Sequence, residues 1–101
     1  MLKFGLLVRL EAKPGMEQAL NDFLDAGVEL TNQEATTPVW YAFQLSPTTF
    51  GIFDAFATEE HRQAHLAGNM ANSLMARMDE LLAAPPSIGF VDVVGMKNEF
   101  L

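Results

Sequence analysis

Val39-Trp40-Tyr41-Ala42-Phe43-Gln44-Leu45, Ser46-Pro47-Thr48-Thr49 and Phe50-Gly51-Ile52-Phe53-Asp54-Ala55-Phe56 follow one another without a gap. The two outer runs have the aromatic and β-branched character of strands, and the run between them carries turn chemistry. An antiparallel hairpin is predicted at the middle of the chain. Large apolar groups fall on both of its faces, Tyr41 and Phe43 on one and Trp40 on the other. A sheet with one wet face alternates more cleanly than this, so both faces are expected to be covered.

Upstream, residues 2–12 place Leu2, Phe4, Leu6, Val8 and Leu10 on one face of a further strand, with Lys3, Gly5, Leu7, Arg9 and Glu11 on the other. Lys13-Pro14-Gly15 ends it. Met16, Leu20, Phe23, Leu24, Gly27, Val28 and Thr31 then recur at helical spacing, which predicts an amphipathic helix over about 15–34. Downstream, Thr58 is placed to cap a helix whose first turn holds Glu59 and Glu60. Gly68-Asn69 breaks this helix, and a second stretch with Met70, Leu74, Met75, Met78, Leu81 and Leu82 runs up to Pro85-Pro86. Alternation from Ile88 to Met96 predicts a last strand.

The order is strand–helix–strand–strand–helix–strand with the second helix in two pieces. It predicts one α+β domain over residues 1–101, a ferredoxin-like βαββαβ fold with a four-stranded antiparallel sheet. Helices cover one face. The other, for which Gly5, Leu7, Trp40, Phe53, Val91 and Val93 are candidates, is expected to pack on a second copy, giving a homodimer.

Thirteen acidic residues against six basic ones give a net charge of −7, which repels phosphate backbones and anionic headgroups. Neither nucleic acid nor a membrane surface is an expected partner. The chain has no cysteine, hence no thiolate ligand or cysteine nucleophile. The apolar start is too short to span a bilayer and lacks the pattern of a signal peptide, so a cytoplasmic location is expected.

Two segments resemble the antibiotic-biosynthesis-monooxygenase-like domains. Leu6-Leu7-Val8-Arg9-Leu10-Glu11-Ala12-Lys13-Pro14-Gly15-Met16-Glu17 is similar to that family's entry from first strand to first helix. Phe53-Asp54-Ala55-Phe56-Ala57-Thr58-Glu59-Glu60-His61-Arg62-Gln63-Ala64-His65-Leu66-Ala67 is similar to its second signature. The resemblance, over roughly residues 2–96, implies a dimeric α/β barrel with a pocket between sheet and helices in each subunit. It implies a cofactor-independent monooxygenase acting on a small aromatic or quinol-type metabolite; a non-catalytic binding or structural protein is the alternative. Two departures stand out: Phe56 occupies the position of a common Trp, and residues 57–84 lack the Trp of the haem-degrading branch.

Within that reading His65 is the candidate catalytic residue, a neutral imidazole able to accept a proton from a phenol or enol, on a par with a packing role; without the resemblance a packing histidine is the favoured reading. Trp40, Tyr41, Phe43, Phe53 and Phe56 are candidates to line an apolar or aromatic ligand's pocket, and Asn69 to donate a hydrogen bond to it. Core packing accounts for most of these aromatics, and capping for Asn69. His61 and His65 share a helix face, but no third metal ligand is evident, and no metal or cofactor is expected. Asp54 and Asp92 interrupt apolar strand faces and need partners, for which Arg9 and Arg62 are candidates.

Overall fold

In the computed structural model, which describes residues 1–98, the chain forms β1 (Phe4–Glu11), α1 (Glu17–Asn32), β2 (Val39–Gln44), β3 (Thr49–Phe56), α2 (Glu59–Leu66), α3 (Asn69–Leu81) and β4 (Ser87–Asp92). Residues 99–101 of the expected domain lie outside the described residues. The four strands make one sheet in the order β2-β3-β1-β4, with every neighbouring pair antiparallel. This is the ferredoxin-like α+β fold.

Its register sorts the side chains. Trp40 pairs with Asp54, Asp54 with Leu6 and Leu6 with Phe90, so this row shares one face. The next row, Tyr41, Phe53, Leu7 and Gly89, takes the other. The face of Leu6, Val8 and Leu10 lies under the helices, where Val8, Leu10, Phe50 and Ile52 pack with Leu20, Leu24, Met70, Leu74 and Leu81 in one buried cluster. The period-two stripe of β1 and the helical stripes of α1 and α3 therefore meet as expected.

The open face belongs to Tyr41, Phe43, Phe53, Leu7, Val39 and Val91. Tyr41 is 59% and Leu7 47% exposed. Trp40, a candidate for this face, sits on the helix side instead, because its parity is set by pairing with Asp54. The last strand also ends earlier than expected. Residues 93–98 are not in a strand, and Val94 and Met96 are exposed. Val28 and Met75 depart from their helical stripes, with 42% and 55% exposure.

Helix ends are fixed by local chemistry. The Thr58 side chain accepts the His61 backbone N–H at 3.1 Å and starts α2. Gly68, not Asn69, is the N-cap of α3 and makes no side-chain cap. Gly27 lets α1 approach α3, since a Cβ there would lie 2.8 Å from Met70 Sδ.

Candidate functional site

Asp54 lies in the middle of β3 on the helix side, with only 1% of its surface exposed. Its partner is neither of the expected arginines. Arg62 is occupied by a two-pronged ion pair with Glu59 (2.6 and 2.8 Å), donates to the Gly5 carbonyl at 3.1 Å and stacks 4.4 Å from the Phe90 ring centre. Arg9 is exposed. The group that faces Asp54 is His65, whose Nε2 sits 3.1 Å from Asp54 Oδ2.

The capped start of α2 sets His65 on the buried side of that helix, tilted against the fully buried Phe56 ring at 5.3 Å between ring centres. Its other nitrogen, Nδ1, lies 2.6 Å from Glu34 Oε1. Glu34 follows the end of α1 and is fixed there by the Thr37 hydroxyl, which donates to Oε1 at 2.8 Å. Gly68 leaves room for this carboxylate: a Cβ at that position would come within 3.1 Å of Glu34 Oε2. Glu34 was not among the sequence candidates. It sits in a connection with no periodicity, and nothing local marks it as reaching α2.

The two carboxylates determine the ionisation of the ring. Burial, the largest single effect, pulls the His65 pKa down, but hydrogen bonding and charge from Asp54 and Glu34 together outweigh it, and the pKa ends above the ordinary histidine value. Burial raises the Asp54 pKa above the usual carboxylate range, with His65 acting in the opposite sense and Glu34 adding to the rise. The two carboxylates thus favour the imidazolium form of His65. The expected role, a neutral ring with a free lone pair, does not match this geometry, because both nitrogens face carboxylate oxygens. Asp54 Oδ2 faces the imidazole, while Asp54 Oδ1, like Glu34 Oε2, is buried with no hydrogen-bond partner among the described residues.

Beside Asp54 and His65 is a cavity of about 140 Å³ between the sheet and the α2–α3 pair, walled by Leu6, Val8, Ile52, Met70, Leu74 and Trp40. Met75 and Ile88, its most exposed lining residues, mark the mouth. Trp40 Nε1 is buried and unpartnered among the described residues. The structure brings together Trp40, Asp54 and His65 at this cavity, with Phe56 behind the imidazole. Tyr41, Phe43 and Phe53 lie on the opposite face of the sheet and do not line it. Asn69 is exposed at the start of α3 and also stands apart. The carboxylates of Glu34 and Asp54 approach opposite edges of the ring and share no common point, and no three His, Cys, Asp or Glu side chains among the described residues are grouped to hold a metal ion. No helix among the described residues is long and apolar enough to cross a membrane.

No protein-family model matches this sequence, and no curated protein matches it. Solved structures do. A protein of unknown function from Nitrosomonas europaea is 51% identical, with a TM-score of 0.93 over 95% of this chain and 93% of that one. A Pseudomonas aeruginosa protein superposes with a TM-score of 0.80 at 18% identity, over 94% of this chain and 97% of its own. A structure described as an antibiotic biosynthesis monooxygenase does so with a TM-score of 0.77 at 17% identity, over 91% and 99% of the two chains. The chain belongs to the same family as the Nitrosomonas europaea protein, and its fold is that of the antibiotic-biosynthesis-monooxygenase-like proteins.

Proposed function

We propose that the protein is a small oxygenase that works without a bound cofactor on a phenolic or enolic metabolite, at the cavity beside Asp54 and His65. The observation that carries this reading is a buried carboxylate with one unpartnered oxygen at the wall of an apolar cavity, next to an imidazole whose two nitrogens both face carboxylates, which favours its cationic form. Raising the pKa of a carboxylate by burial makes it a better base near neutral pH. A fixed positive charge in a medium of low polarity stabilises the anion that the base creates.

Asp54 takes the proton from the substrate hydroxyl, leaving an electron-rich anion facing the His65 imidazolium. That anion passes one electron to dioxygen, and the two radicals combine by forming a carbon–oxygen bond at a ring carbon that bears hydrogen. The hydroperoxide loses water. The proton that forms the hydroperoxide from the peroxide anion is the one Asp54 took; one C–H has become C=O, and one oxygen atom of dioxygen is in the product and the other in water.

The open sheet face is the second part of the proposal. Leu7, Tyr41, Phe53 and Val91 make it apolar across all four strands, and a large apolar face of this kind is normally covered. A second copy packed there gives a symmetric dimer with the reactive cavity of each subunit on its outer, helix-covered side.

The test is oxygen uptake with a panel of quinols, comparing the natural protein with Asp54→Asn. The expected result is turnover that falls by at least about 100-fold in the variant. Uptake no faster than the uncatalysed oxidation contradicts the reading. The largely apolar cavity favours one other assignment, a module that sequesters a small apolar molecule without changing it. Native mass spectrometry of the purified protein then shows a retained ligand of unaltered mass after exposure to air.

A further inference from the structure

We propose that the cavity between Trp40 and Asp54 selects compounds of a single six-membered ring that carry two oxygen functions, one donating a hydrogen bond and one accepting. The location rests on the functional reading above, while the size and polarity limits rest on the following observations.

Trp40 and Asp54 are direct partners across β2 and β3, with both side chains on the helix face and both lining the cavity. The indole N–H is buried without an acceptor, and Asp54 Oδ1 is buried without a donor, Oδ2 being the oxygen that faces His65. Neither satisfies the other. Buried polar atoms left unpaired are rare and costly, and here they occur as a complementary donor and acceptor on adjacent strands. A ligand hydroxyl that donates to Asp54, and a carbonyl or second hydroxyl that accepts from Trp40, completes both.

The rest of the wall is Leu6, Val8, Ile52, Met70 and Leu74, surfaces that take an apolar ring. The volume of about 140 Å³ is close to that of an apolar protein cavity of about 150 Å³ that admits benzene. It holds one ring with small substituents and has no room for a fused second ring.

Trp40 is the only tryptophan in the chain, so its fluorescence reports on its own surroundings, this cavity and the surface groove it shares with Asn21 and Asp25, and loss of quenching in Asp54→Asn assigns the signal to the cavity. Catechol, resorcinol and hydroquinone are titrated anaerobically against the whole protein, alongside toluene and 1,4-dihydroxynaphthalene. The expected result is saturable quenching by at least one benzenediol, binding at least about tenfold weaker for toluene, and no saturable binding of the naphthalenediol. By calorimetry, Trp40→Phe weakens the benzenediol about tenfold and leaves toluene unchanged. Asp54→Asn provides the same comparison should the first variant not fold. Equal affinity for toluene and benzenediol, naphthalenediol binding as tightly as the single ring, or no binding by any probe overturns the proposal. Benzenediol binding without oxygen uptake in air contradicts the oxygenase and leaves this selectivity standing; oxygen uptake confined to two-ring quinols does the reverse.

Discussion

His65 Nδ1 lies 2.6 Å from Glu34 Oε1 although 31 positions separate the two residues in the chain. That contact joins the end of α1 to the buried face of α2, and together with Asp54 on the opposite ring edge it raises the imidazole's pKa.

Stability falls as the pH rises through the titration of this cluster. The folded His65 binds its proton more tightly than the unfolded chain does, so its contribution is complete below about 6.5 and is lost as the pH climbs through the higher folded value. Asp54 acts in the same direction, because its folded pKa is also raised: the fold loses stability from about 3.9 upward until that folded pKa is passed. Melting temperatures across an acid-to-alkaline series are expected to decline more steeply in the natural protein than in His65→Gln. Parallel curves contradict the assignment.

Glu34→Gln keeps an acceptor for the ring and removes the charge. With one stabilising carboxylate gone, the His65 pKa drops, and the alkaline limb of the pH–rate profile moves to lower pH, while KM changes by less than about threefold because Glu34 does not line the cavity. The imidazole proton resonances followed by NMR give the same shift independently. An unmoved titration removes Glu34 from the mechanism.

Gly68→Ala tests the packing behind that contact. The added methyl group would meet Glu34 Oε2 at 3.1 Å and the Ala64 and His65 carbonyls at 3.3 Å, so the carboxylate has to give way. The expected result is a loss of roughly 1–3 kcal/mol in stability and a His65 titration shifted in the same direction as in Glu34→Gln. An unchanged titration means that the Glu34 contact survives the added methyl group.

Leu7→Asp places a charge at the centre of the open sheet face, on a side chain that is 47% exposed in the single chain. Light scattering coupled to size exclusion is expected to show a dimer for the natural protein at micromolar concentration and a single subunit for the variant. A natural protein that runs as a single subunit contradicts the proposed dimer.

The backbone plan was legible because local signals agreed with it: period-two alternation in Phe4 to Leu10, turn residues at Ser46-Pro47, the Thr58 cap, and Gly68 at the helix break. The site was legible only in part. His65 was legible through the resemblance of the Ala64-His65-Leu66 segment and not from any local pattern. The side of the sheet taken by Trp40 was not readable, since aromatic residues occupy both parities of β2 and only the pairing with Asp54 decides between them. For the same reason Tyr41, Phe43 and Phe53 looked like pocket residues and turned out to share the opposite face. Glu34 was invisible, because an acidic residue in a connection is ordinary and its contact with His65 is entirely tertiary.

Titrating the protein with a chromogenic nitrophenol shows in the phenol's own absorption spectrum whether Asp54 takes its proton. Bound to the natural protein at a pH below its solution pKa, the phenol is expected to show the phenolate band, and in Asp54→Asn to remain protonated. A phenol that stays protonated in the natural protein, or ionises equally in both, shows that Asp54 is not the base.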